Sequence, residues 1–140
     1  MLRRLETFEA PYLEEKMVDM EKTFASRAEY DQAFTEFKKY FAIGVMCDNS
    51  IGMASKTVDS VWHQFILFTK EYHGFSHTFA GHYFHHAPTL PSQRSKEGSV
   101  GNFIKAYTAI FGSVPSIWGI SREADCDGCG TSCKDCCDTP

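Results

Sequence analysis

The stretch Thr57–Pro88, TVDSVWHQFILFTKEYHGFSHTFAGHYFHHAP, holds all 6 histidines of the chain and one of its 2 tryptophans. Its apolar residues decide the fold. Val58, Val61, Trp62, Phe65 and Ile66 recur at the spacing of an α-helix with a broad buried face. Tyr72, Phe75 and Phe79 repeat the pattern and predict a second helix from Thr69 or Lys70 to about Ala80. Gly74 lies inside that helix, where glycine costs about 1 kcal/mol relative to alanine, so a bend is expected there. Gly81 can end the helix, and HYFHHAP then reads as a turn stopped by Pro88.

The same period returns on both sides of this stretch. In residues 11–24, Pro11 suits a first helical turn, and Leu13, Met17, Met20 and Phe24 form one apolar stripe. Ser26 and Glu29 make a capping box for a helix running to about Ala42, with Tyr30, Phe34, Phe37 and Phe41 as a core stripe. Residues 43–56 contain Gly44, Gly52 and Asn49-Ser50 and read as a connection. Residues 88–98 are polar with two prolines and read as a surface linker. Val100, Phe103, Ile104, Tyr107, Ile110 and Phe111 predict a helix over 99–112, after which Trp118 and Ile120 pack back from a short extended piece. The expectation is an all-α protein: a small single-domain bundle of about five helices over residues 1–120, followed by a Cys-rich tail over 121–140.

Composition narrows the function classes. A chain of 140 residues, 14% aromatic with 12 phenylalanines, has the make-up of one folded domain. A net charge of −4 argues against general nucleic-acid affinity, which needs a basic face. There is no apolar run of about 18 residues to span a membrane. The first residues lack the apolar stretch of a secretory signal, so a cytoplasmic protein is expected. Of the 6 cysteines, Cys47 stands alone and reads as a buried or half-buried thiol; the others crowd the C-terminal end. Clustered cysteines in an intracellular chain point to metal or redox chemistry rather than a disulfide framework.

The histidines fall into pairs. Asp59 and His63 are one helical turn apart, so the carboxylate can ligate a metal itself or orient the imidazole. His73 and His77 have the spacing by which one helix offers two imidazoles to one ion. His85 and His86 are adjacent, and neighbours on an extended segment point opposite ways, so at most one faces the same ion as His63. Two histidines with a carboxylate suit non-haem iron, and three histidines suit zinc. The candidate ligands are thus Asp59, His63, His85 and His86, for zinc or iron. In the tail, Cys126, Cys129, Cys133 and Cys136 could offer four thiolates to a second zinc or an iron–sulfur cluster. Gly128, Gly130 and Ser132 permit the tight bends this needs.

The string Val58, Asp59, Trp62, His63, then Ile66, Leu67, Thr69, Tyr72, Phe75, then Phe79, His85, His86 and Pro88 resembles the bacterial members of the glycine-rich domain-containing protein-like family. The resemblance implies a site at Asp59, His63, His85 and His86 rather than at His73 and His77. It implies no particular reaction. Relatives in that family often carry a cysteine where this chain has Ser76, which speaks against thiol chemistry at that position.

The functional expectation is a small intracellular metal-binding helical protein with a His-based site and no assigned reaction. The alternative is a non-catalytic accessory subunit, in a larger assembly or a homo-oligomer. It would dock through an aromatic surface and the Cys-rich tail, with Asp59, Trp62 and His63 as a buried polar network.

Overall fold

A computed structural model describes residues 1–47, 51–87 and 99–120. They form α1 (Leu2–Glu6), α2 (Pro11–Glu14) running into a π-helix (Glu15–Met20), α3 (Arg27–Met46), α4 (Lys56–Leu67), α5 (Thr69–Ala80), α6 (Ser99–Phe111) and a 3-10 turn (Ser116–Trp118). The architecture is all-α, with six α-helices and no strand among the described residues. No helix among them is long and apolar enough to cross a membrane. The linker after Ala87 and the whole tail, with Cys126, Cys129, Cys133 and Cys136, lie outside the described residues.

The longest helix, α3, is the hub. Its start is set by the capping box: Ser26 Oγ accepts the N–H of Glu29 at 3.3 Å, and Glu29 Oε2 accepts the N–H of Ala25 at 3.1 Å. From Tyr30 to Gly44 it is buried on nearly every side, because α1, α4, α6 and the π-helix all pack against it. The helix passes Ala42 and continues to Met46, since Ile43 is fully buried and holds the last turn in the core. Phe34, Phe37 and Phe41 meet Phe65 and Phe75 from α4 and α5, with centroid separations from 4.6 Å for Phe41–Phe75 to 6.4 Å for Phe34–Phe65. Such tilted and edge-on pairs add to area burial. None of the 12 phenylalanines, 6 tyrosines or 2 tryptophans is exposed. Most of these rings are buried, and Phe8, Tyr12, Phe68, Phe79, Tyr83 and Phe111 are half-buried against that core.

Two local expectations change. Residues 11–24 do not form one α-helix. The chain widens to a π-helix over Glu15–Met20, which shifts the phase of the stripe: Met17 stays buried, but Met20 turns out to 63% exposure. Phe24 regains the core through a turn in which Lys22 takes φ 53° and the N–H of Phe24 returns to the Met17 carbonyl at 3.3 Å. In the histidine stretch, the chain bends at Phe68 rather than at Gly74. Phe68 leaves the helical region at φ −81°, ψ 68°, while α5 runs unbroken through Gly74, which faces open space. Bending at Phe68 brings Phe65 and Phe75 within 5.0 Å, which a bend at Gly74 would not.

Two buried charges on α3 tie the ends of the chain to the hub. Glu36, only 4% exposed, accepts from the Tyr107 hydroxyl at 2.9 Å, Trp118 Nε1 at 2.8 Å and Lys39 Nζ at 3.0 Å. Three donors make a buried carboxylate tolerable. Lys38, also buried, donates to the Glu6 and Phe8 carbonyls at 2.7 and 3.1 Å and so closes the end of α1. Burial pulls its pKa down, against the opposing pull of Glu9 and Glu6. Removing one member of a buried charged network costs about 3 kcal/mol or more. Glu36→Ala is expected to lower urea-unfolding stability by about that amount, leaving the Trp118 indole N–H without its acceptor. A loss below about 1 kcal/mol would show that the network contributes little.

Candidate metal centre

α4 supplies two of the three converging side chains. Ser55 caps it, its hydroxyl accepting the N–H of Val58 at 3.2 Å, and Val58, Val61, Trp62 and Phe65 turn inward. That rotation leaves Asp59 and His63 at the margin, one turn apart on the same side. The third comes from the segment after α5. Gly81, at φ 79°, ends α5 in the left-handed conformation that glycine adopts without strain, and the chain turns back. Along this segment Phe84 points into the core, His85 points out and His86 points in again.

The result is a tight triad. His63 Nε2 lies 3.0 Å from His86 Nε2 and 3.3 Å from Asp59 Oδ2, and His86 Nε2 lies 2.9 Å from Asp59 Oδ1. The carboxylate offers a different oxygen to each ring, so two Nε2–H groups can donate side by side to Oδ2 and Oδ1. With unprotonated ring nitrogens, the same three side chains offer lone pairs to a cation. A cation between the three atoms accepts one lone pair from each. Bonds of about 2.0–2.1 Å put neighbouring donors about 2.8–3.0 Å apart in an octahedron and about 3.3–3.4 Å apart in a tetrahedron. The 3.0 Å between the two ring nitrogens falls in that range; the carboxylate contacts, 2.9 Å to His86 and 3.3 Å to His63, are made by different oxygens, and one donor atom from each residue lies within 4.8 Å of the other two. The residues fit an ion.

Exposure is graded across the triad: 13% for the His86 side chain, 26% for Asp59 and 56% for His63. One side is walled by protein and the other is open, so three protein donors leave positions for water or substrate. The wall is aromatic. The His86 ring stands edge-on to Trp62 at 4.4 Å between centroids. Trp62 Nε1 donates to the Tyr72 hydroxyl at 2.9 Å, and that hydroxyl donates to the Phe84 carbonyl in a short hydrogen bond. This relay fastens α4, α5 and the His86 segment to one another. Burial raises the Tyr72 pKa, which the bond from Trp62 partly offsets, so the phenol stays protonated. Below the site, burial and then the Asp59 charge push Tyr40 up to about 12, so it too stays neutral.

Of the sequence-derived candidates, the structure brings together Asp59, His63 and His86. His85 is not among them: it is exposed and packs edge-on against Tyr83 at 4.7 Å, on the other side of the segment. The reason is the alternation of an extended chain, with Phe84 and His86 both drawn inward. His82 is exposed and pairs through Nδ1 with the Tyr83 carbonyl. A cleft of about 300 Å³ lies elsewhere, between α1, α3 and Phe111, and no triad residue lines it.

Two supports were not legible in the residue pattern. Gly44 is one: a Cβ there would lie 2.6 Å from Phe84 Cζ. Only glycine lets the Phe84 ring lie flush on α3, between Phe41 at 4.8 Å and Trp62 at 5.7 Å. A glycine inside an apolar helix is its sole signal. The other is Ser76, fully buried and close enough to the Tyr72 phenol to draw its pKa down. Gly44→Ala gains up to about 1 kcal/mol of helix propensity but overpacks the core by about 1–3 kcal/mol. The expected net is a destabilised protein in which the nuclear Overhauser contacts between the His86 and Trp62 rings weaken. An alanine variant of unchanged stability, with those contacts intact, would count against Phe84 as the anchor.

The family model described as UCP032817-like matches residues 2–107. This corrects the resemblance to the glycine-rich domain-containing protein-like family: the matching model is a different one, and it takes in α1 to α5 and most of α6 rather than the histidine stretch alone. No curated protein and no solved structure matches the chain.

Proposed function

The chain belongs to the UCP032817-like family, and we propose that it is a metal-binding helical protein whose Asp59, His63 and His86 hold one transition-metal ion, zinc or iron. The observation that carries this reading is the meeting of three donor atoms within 4.8 Å of one another, from two separate parts of the chain. Imidazole suits both ions, and the carboxylate adds the charge that a divalent cation needs. Two histidines and one carboxylate with open positions are a donor set for activating water if the ion is zinc, or for oxygen chemistry if it is iron.

The protein's own residues have definite roles in this reading. Asp59 and His63 ride on a capped, packed helix, so their spacing is fixed before any ion arrives. Trp62, through Tyr72 and the Phe84 carbonyl, keeps the His86 ring aimed at them. The exposed face of His63 is the route in. The tail is a separate unit, 121–140, in which Cys126, Cys129, Cys133 and Cys136 are a second ligand set for zinc or an iron–sulfur cluster.

Elemental analysis of the full-length chain tests the histidine site. Wild-type protein is expected to carry a stoichiometric ion at the triad. Asp59→Asn, His63→Ala and His86→Ala are each expected to lower the metal content by about one equivalent, while His82→Ala leaves it unchanged. Metal content equal to wild type in all three triad variants would remove the proposal, because metal held by the tail is common to every arm.

A further inference from the structure

α5 carries a second pair of imidazoles that the triad does not use. His73 and His77 lie one turn apart, and their ring centroids are 4.2 Å apart at an interplanar angle of 36°. Both side chains are exposed. The helix beneath them is well held: Tyr72, Phe75 and Ser76 are buried on its opposite side, and its backbone runs without a break from Thr69 to Ala80. The two rings therefore share one outward face on a rigid frame.

The surroundings suit a ligand rather than another protein contact. Gly74, next to His73 on that surface, has no side chain, and the space where a Cβ would stand is open. A hydrated ion could keep its remaining waters there. On another side the ring of Tyr83 flanks His73 at 6.1 Å and stands edge-on to the His85 ring at 4.7 Å. That aromatic wall limits how far the His73 ring can swing away from His77.

We propose that His73 and His77 form a second, exposed chelate for a borderline divalent transition ion, zinc being the probe of choice, distinct from Asp59, His63 and His86. Two neutral imidazoles one helical turn apart offer donors that match such an ion, and no carboxylate makes the site attractive to calcium or magnesium. With only two protein donors the ion exchanges readily with solvent. This site does not depend on the reading of the triad.

The test is calorimetric titration with Zn²⁺ of the full-length chain, first freed of resident metal with a chelator and then alkylated at its thiols, which silences the tail. Wild type is expected to bind two equivalents, the tighter at the triad. His77→Ala, a substitution on an exposed helical face, is expected to weaken the second by at least about tenfold and to spare the first. His86→Ala should do the reverse. A parallel nitrogen-15 spectrum of the histidine rings should show Zn²⁺ moving the His73 and His77 signals together, with His82 still. An isotherm unchanged by His77→Ala, or Zn²⁺ shifts absent from His73 and His77, overturns the second site. An isotherm unchanged by His86→Ala overturns the triad and leaves this site standing.

Discussion

A single hydrogen-bond relay, from the Trp62 indole through the Tyr72 hydroxyl to the Phe84 carbonyl, holds together the half of the molecule that carries the candidate site. Each partner sits on a different piece of chain: α4, α5 and the segment that returns from Gly81. All three groups are buried, so leaving any one unpaired would carry the full desolvation cost of a polar group, about 1–3 kcal/mol. Satisfied in series, they admit only one arrangement of the three pieces. His86 is two residues beyond Phe84, so its position follows from that arrangement. The triad is thus assembled by neutral groups in the core, not by attraction among its own members.

The core gives this relay its rigidity. Phenylalanines from α3, α4 and α5 interlock around it, and Gly44 lets the Phe84 ring seat directly on α3. A packed interior transmits small displacements rather than absorbing them. On the other side of α3, Glu36 performs the same service for α6 and Trp118, and Lys38 for α1. Both are charged groups whose donors or acceptors come from distant parts of the sequence. α3 accordingly organises the protein twice, through its apolar face and through two buried charges that specify where its neighbours dock.

The proposed metal site lies at the margin of this core. The triad begins at a buried indole and ends in solvent, with exposure rising from His86 to Asp59 to His63. The inner donor is oriented by packing, and the outer one is free to meet an incoming ligand. His73 and His77 lie on the exposed face of α5, beside Tyr83. α4, α5 and the returning segment therefore present imidazoles in two physical situations, His86 half-buried against Trp62 and the α5 pair exposed.

The sequence by itself determined what depends on near neighbours in the chain. Apolar spacing announced α3, α4, α5 and α6, Ser26 and Glu29 announced a cap, Gly81 announced an ending, and one helical turn placed Asp59 beside His63. These are consequences of the 3.6-residue period and of local backbone chemistry. Tertiary structure decided the rest. Whether His85 or His86 would face His63 depended on which side of the returning segment the core would take, and Phe84 decided it by filling the space above Gly44. The π-helix that turns Met20 outward, and the bend at Phe68 rather than Gly74, follow from how neighbouring helices pack. Nothing in the sequence around Glu36 marks the burial that Tyr107 and Trp118 give it. In each case the deciding energy comes from atoms distant in sequence, and no local pattern records it.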